Sequence, residues 1–281
     1  MSDCKGEKYI LDKRPLPTAG FDDTIFSHGR SVYEIIRVID RAPLFLGDHL
    51  ERLYGSLEGL GLETSLSPRE IERRVRLLIS LNPQKEGNIR VVLHFPGDCA
   101  RPLFLAYYTG HKYPGTVHYE KGVEVALFAT ERPNPHTKLI DVELRSRMDS
   151  FIKKNNVYEI LLVDRNGFVT EGSKSNFFFV KNDRLLTAPE EDVLQGITRK
   201  YIFSICQNRS IDIIQRKISR DELPEMESCF ITGTSPKVLP VKRIGDFTYN
   251  AHHPLVRKLM EEYDRLIEDY ISRSHNTTFS T

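Results

Sequence analysis

The stretch YEILLVDRNGFVTEGSKSNFFFV, Tyr158 to Val180, constrains the chain more than any other. Its three runs of strand-forming residues are split by two turns, one at Asn166-Gly167 and one running from Glu171 to Ser175. Asn-Gly suits a type I′ hairpin. The second turn opens on an acid that ends an apolar strand, with Glu171 on the face of Val169 and Thr170 opposite. A carboxylate buried there without a partner is costly and tends to take up a proton. Glu171 is therefore either a rim residue facing water, or it meets a cation supplied from elsewhere.

Around this meander the pattern is mixed. Leu50, Leu53, Leu57 and Leu60 in DHLERLYGSLEGLGL recur at helical spacing, with Asp48 as cap and Gly61 as terminator. SPREIERRVRLLIS predicts a second helix, capped by Ser67, with Pro68 at its first position and Ile71, Val75 and Leu78 inward. NIRVVLHF predicts a strand with Ile89, Val91, Leu93 and Phe95 on one face and Arg90 and His94 on the other; PLFLAYY is its partner. The prolines of ERPNPHTK, 131–138, mark an interdomain linker. A helix through Ile140, Leu144, Met148 and Phe151 follows. Strands come next at SNFFFVK, SIDIIQRKI and SCFITGTSPKVLPV, then an amphipathic helix, PLVRKLMEEYDRLIEDYI, and a loose tail, HNTTFST. The outline is an α/β (α+β) chain of two domains, α/β over 1–130 and strand-rich over 139–281.

Charge excludes some partners. Forty basic residues balance thirty-nine acidic ones, so no global field attracts nucleic acid or an anionic membrane. Cys4, Cys99, Cys206 and Cys229 lie far apart without a CxxC pair, which argues against a disulfide framework or a metal site. MSDCKGEKYI has no apolar leader core and no run reaches membrane-span length, so a cytoplasmic location is expected.

Several segments carry possible chemistry. Gly196, Ile197 and Thr198 precede a helix-like run, where backbone N–H groups favour an anion, phosphate especially, or simply form a cap. Gly233-Thr234-Ser235 is a second donor-rich turn, or a plain loop. Arg52 lies beside the leucine stripe of its helix. With no P-loop or Rossmann fingerprint, a nucleotide is not the favoured anion. Lys138 closes the linker; enclosed by both domains it would be a nucleophile, and otherwise it is a surface lysine.

Taken in order, these segments resemble the class IV, fold-type-IV pyridoxal-phosphate aminotransferases, which include branched-chain and D-amino-acid transaminases and aminodeoxychorismate lyase. The likeness runs from about Phe21 to Asp246. HGRSVYEIIRV and LFLGDHLERLYGSLEGLGL are similar to the family's N-terminal segment. The lysine, the meander, LLTAPEEDVLQGITR and FITGTSPKVLPV are similar to its cofactor-binding segments.

The resemblance implies a smaller N-terminal α/β domain, a larger C-terminal pseudo-barrel, a site between them, pyridoxal 5'-phosphate as cofactor and a homodimer. It gives Lys138 the role of the Schiff-base lysine and Glu171 that of the acid at the pyridine nitrogen. Arg52, Ile197, Thr198 and Thr234 match phosphate-binding positions; Tyr33, Arg90 and Ser235 fall on the substrate side. The implied reaction moves an amino group between an amino acid and a 2-oxo acid. The alternatives are a lyase releasing pyruvate from aminodeoxychorismate, or a non-catalytic relic that still binds cofactor. The sequence departs from the branched-chain pattern at Asp141-Val142, where a tyrosine is usual, and at Arg30, an extra arginine that either serves an acidic substrate or faces solvent.

Overall fold

The computed structural model describes residues 3–97 and 101–278. Its contacts divide the chain into two units, one of Met1–Lys112, Thr137–Ile140 and Ile267–Thr281, the other of Tyr113–His136 and Asp141–Leu266.

The first unit is an antiparallel sheet with helices on one face. Its elements are β1 (Cys4–Leu11), β2 (Arg14–Pro17), β3 (Arg30–Ile39), β4 (Ala42–Pro43), α1 (Leu46–Gly59), α2 (Pro68–Ser80), β5 (Gly87–Phe95) and β6 (Leu103–Thr109). The strand order is β2-β1-β6-β5-β3-β4. Val32, Ile36 and Val38 of β3 and Ile89, Val91 and Leu93 of β5 point into one core with Leu50, Leu53 and Leu57 of α1 and Ile71, Val75 and Leu78 of α2. The helix α2 begins as its sequence predicts: Ser67 and Glu70 form a reciprocal capping box, with Pro68 at the first position. The helix α1 does not begin at Asp48. Its N-cap is Phe45, a buried residue at φ 52°, and Asp48 lies in the first turn, where its charge complements the helix dipole. Gly61 (φ 63°) stops the helix as expected.

The second unit holds α3 (Thr116–Lys121), β7 (Val123–Ala129), α4 (Val142–Asn155), β8 (Glu159–Val163), β9 (Phe168–Gly172), β10 (Asn176–Lys181), β11 (Arg184–Thr187), α5 (Ile197–Asn208), β12 (Ile213–Gln215), β13 (Ile218–Ser219), β14 (Ser228–Gly233), β15 (Lys237–Ile244) and β16 (Phe247–Thr248). The helix α6 (Pro254–Thr278) contributes to both units. The sheet runs β12-β11-β10-β14-β15-β7-β8-β9-β13, and β9 also pairs with β10, so six strands close on themselves. Both faces of these strands are covered, which explains their nearly continuous apolar runs. Leu161, Val163, Phe177 and Phe179 point inward, whereas Ile160 and Leu162 pack under Met148 of α4. Phe178 stacks on Phe230 on the outer face, 5.0 Å between centroids.

Two local expectations change. A type I′ turn needs positive φ at both central residues, and between β8 and β9 only Gly167 has it (82°). Instead the Asp164 carboxylate accepts the N–H groups of Asn166 and Phe168, both at 2.8 Å. The tail from His275 continues α6 through Thr278, while Cys99 and 279–281 lie outside the described residues. Among the described residues, no helix is long and apolar enough to cross a membrane, and no His/Cys/Asp/Glu group could hold a metal.

Candidate active site

In the first unit, chemistry gathers where residues 138–140 add to the end of β3. The Tyr33 N–H donates to the Lys138 carbonyl at 3.1 Å and the Ile140 N–H to the Ser31 carbonyl at 3.0 Å, with a bridge between Val32 and Leu139. The backbone of Lys138 also donates to Ser56 Oγ of α1 at 3.2 Å. Strand and helix thus hold the backbone of Lys138. Its Nζ lies 5.4 Å from the Tyr33 ring centre, within cation–π range. Arg90 approaches the same ring at 5.7 Å, meets the Tyr107 hydroxyl at 3.3 Å and pairs with Asp3 at 3.3 Å.

Beside them lies a buried cluster that sequence reasoning missed. Glu34 shares the core-facing side of β3 with Val32 and Ile36, yet it is a carboxylate with no exposure. Arg52 of α1 grips it bidentately, Nε to Oε1 at 2.7 Å and Nη2 to Oε2 at 2.6 Å, and His49 Nδ1 donates to Oε2 at 2.7 Å. Burial pushes the Glu34 carboxyl up, but the charges of Arg52 and Lys138 and the bonds from Arg52 and His49 hold it well below the usual range. Burial drives His49 the other way, below its ordinary value and against the pull of Glu34. A neutral imidazole donating from Nδ1 fits both directions better than an imidazolium. The missed signal was an acid at an inward position of an alternating strand, with His and Arg three apart on the next helix.

In the second unit, Glu171 answers the question its sequence poses. It is buried, and its cation is Arg132: Nε faces Oε1 at 2.8 Å, an ion contact without hydrogen-bond alignment. The other oxygen accepts the Leu194 N–H at 3.1 Å and the Asn176 amide at 3.5 Å. Asn176 Nδ2 also donates to the Leu194 carbonyl at 2.9 Å, and its Oδ1 lies where a Cβ on Gly196 would come within 2.1 Å. Only glycine fits that approach. Gly196 is the N-cap of α5, which starts without a side-chain cap, so Ile197 and Thr198 open a helix whose dipole favours an anion. The Thr198 hydroxyl meets that of Tyr263 at 3.2 Å.

Arg199, the next residue, is almost wholly buried between Phe178 and Phe203 and donates to Thr187, Ala188 and Gln215. Burial pulls its guanidinium down to about 10, against the opposing charges of Glu190 and Glu171. Thr234 and Ser235 lie half-buried in the turn from β14 to β15, which ends at Lys237 with φ 55°. Thr232, opposite Asn176 in the ladder, is buried with its hydroxyl unbonded. Of the departures, Arg30 is exposed, Asp141 caps α4, and Val142 is exposed.

Comparison with known proteins gives a consistent picture. The model of the family "Amino-transferase class IV" matches residues 31–244. The D-alanine aminotransferase of Bacillus licheniformis is 26% identical over 247 residues, 83% of this chain and 85% of that protein. The "Probable branched-chain-amino-acid aminotransferase" of Thermotoga maritima is 28% identical over 243 residues, 84% and 86% of the two chains. Among solved structures, the branched-chain aminotransferase of Thermoproteus uzoniensis with norvaline superposes at TM-score 0.85 and 23% identity, covering 95% of this chain and 98% of that one. The T.th. branched-chain amino acid aminotransferase with pyridoxamine 5'-phosphate gives 0.82 at 22%, covering 94% and 95%. The structural matches establish the fold, fold type IV, and the family match spans both clusters described above. The chain belongs to the amino-transferase class IV family.

Proposed function

We propose that this aminotransferase works with pyridoxal 5'-phosphate, held covalently by Lys138, and moves an amino group between an amino acid and a 2-oxo acid. One observation carries the reading. Asn176 ties a buried, ion-paired acid, Glu171, to the glycine-capped start of α5. An acid for a ring nitrogen and an anion site for a phosphate are thereby held at a set spacing. The donor set fits the group: α5 begins without a side-chain cap, a Cβ at Gly196 would fill the space, and the buried Thr232 hydroxyl awaits a partner among the described residues.

When bound, the cofactor supplies an aldehyde carbon that accepts amines and a protonated ring that withdraws electrons. The chain's residues then have separate tasks. The Lys138 amine would take the proton from the substrate's α-carbon as a general base and, as a general acid, give it to the cofactor's former aldehyde carbon. Glu171 keeps the ring nitrogen protonated, and Arg132 keeps Glu171 charged. Ile197, Thr198 and Thr234 hold the phosphate with backbone and hydroxyl donors. Arg52, held rigid by Glu34, adds positive charge for the same anion. Tyr33, Arg90 and Ser235 orient the substrate. The reading includes a homodimer, which light scattering on the eluting protein tests.

The activity test is a panel of L- and D-amino acids, each supplied with 2-oxoglutarate. Glutamate formed in proportion to a new oxo acid supports transamination. Pyruvate released from aminodeoxychorismate without glutamate would point to the lyase, and neither product would sink both.

A further inference from the structure

The Ser173-Lys174-Ser175 turn is left unexplained by that reading, because none of its side chains has a task there. Its purpose is visible in what it surrounds. Glu159, the first residue of β8, is a buried carboxylate into which the turn folds. Ser173 donates both its N–H (3.1 Å) and its hydroxyl (2.6 Å) to Oε1, while the Lys174 N–H (3.3 Å) and the Ser175 hydroxyl (3.0 Å) reach Oε2. The Ile160 N–H adds a fifth donor at 2.9 Å. Gly172 must be glycine here: a Cβ would fall 2.2 Å from Ser175 Oγ and 3.2 Å from the Glu159 carboxyl carbon.

The carbonyl side of the same turn is held by arginines. Arg132 Nη2 donates to the Ser173 carbonyl at 2.6 Å and the Gly172 carbonyl at 3.4 Å, and Arg145 reaches the Ser173 carbonyl at 3.3 Å. The Arg132 Nε contacts Glu171 itself at 2.8 Å. A buried carboxylate held by neutral donors is an expensive plug for a core, and an apolar residue would fill the space at less cost. What the carboxylate supplies is one defined turn geometry, a single residue away from Glu171.

We infer that Glu159 and Arg132 are positioning residues that grip the 172–175 turn from its N–H and carbonyl sides and so set where the Glu171 carboxylate stands. The inference rests on the proposed function, since it gives Glu171 a ring nitrogen to face. Glutamine at 159 has the same shape but offers one oxygen where the turn presents two sets of donors, and backbone N–H groups cannot turn round to accept.

The test uses full-length protein freed of cofactor, with pyridoxamine 5'-phosphate and inorganic phosphate as separate probes. Glu159→Gln is expected to weaken pyridoxamine 5'-phosphate binding about tenfold. Inorganic phosphate, whose proposed donors at the start of α5, Thr234 and Arg52 lie outside the 172–175 turn, should stay within about twofold. The absorption of the bound ring should also shift with its protonation. Ser175→Ala, which removes one donor, should move in the same direction by about threefold. Arg132→Lys keeps a charge but not the fork and should behave like Glu159→Gln. Unchanged ring affinity and spectrum in the folded variants would overturn the inference, as would equal losses for both probes. If Glu159→Gln does not fold, Ser175→Ala and Arg132→Lys decide. Wild-type protein that binds neither probe would overturn the underlying functional reading, and the inference with it.

Discussion

Asn176 stands opposite Glu171 in the register that joins β10 to β9, and its amide reaches both the Glu171 carboxylate and the Leu194 carbonyl. The pair that closes the sheet on itself is also the pair that mounts the acid. Asn176→Asp puts a second carboxylate against Glu171 and removes the donor to Leu194. We expect a loss of about 1–3 kcal/mol in denaturant unfolding, with a lower midpoint and an unchanged slope. A variant as stable as wild type would show that the amide does not carry the closure.

Gly196→Ala tests the approach of α5 to β10. Its φ of −65° suits any residue, so the penalty is steric alone, from a Cβ placed 2.1 Å from Asn176 Oδ1. Overpacking of this kind costs about 1–3 kcal/mol. Phosphate affinity should fall as well, because the start of the helix must move away. Calorimetric titration with inorganic phosphate measures it, and unchanged affinity would place the anion elsewhere.

Glu34 and His49 predict a stability that rises with pH across the acid range. The folded Glu34 pKa lies below its ordinary value of 4.5, so its contribution is present above that value and fades as pH falls toward the folded pKa. The folded His49 pKa lies below 6.5, so between the folded value and 6.5 the unfolded chain binds the extra proton, again favouring unfolding as pH drops. Both act in one direction. Glu34→Gln should flatten the dependence below about pH 4.5, and a slope equal to wild type would contradict the burial of Glu34 as an ion.

Glu171→Gln should leave the fold in place and lower the transamination kcat by about 100-fold or more, since an amide cannot hold the ring nitrogen's proton. Stopped-flow conversion with a good amino donor measures this step, and near-normal turnover would remove Glu171 from the chemistry.

How far the sequence foresees all this depends on the range of each interaction. The start of α2 is written in four neighbouring residues, Ser67 to Glu70, and appears as read. The start of α1 is not, because Phe45 takes a left-handed conformation that its packing, including a ring contact with Tyr270 at 4.9 Å, imposes from far along the chain. Glu171 could be singled out by its place on an apolar strand, but its partner Arg132 lies 39 positions earlier with no local mark. Glu159 likewise looks like an ordinary strand edge until the turn at 173–175 folds over it. The serines of that turn were legible only as turn formers; what they bind was not.

The most direct measurement is chemical trapping. The full-length protein loaded with pyridoxal 5'-phosphate is reduced with borohydride, digested, and its modified peptide sequenced by mass spectrometry. Reduction is expected to leave a phosphopyridoxyl group on Lys138. A label on another lysine, or none in protein that still transfers amino groups, would contradict it.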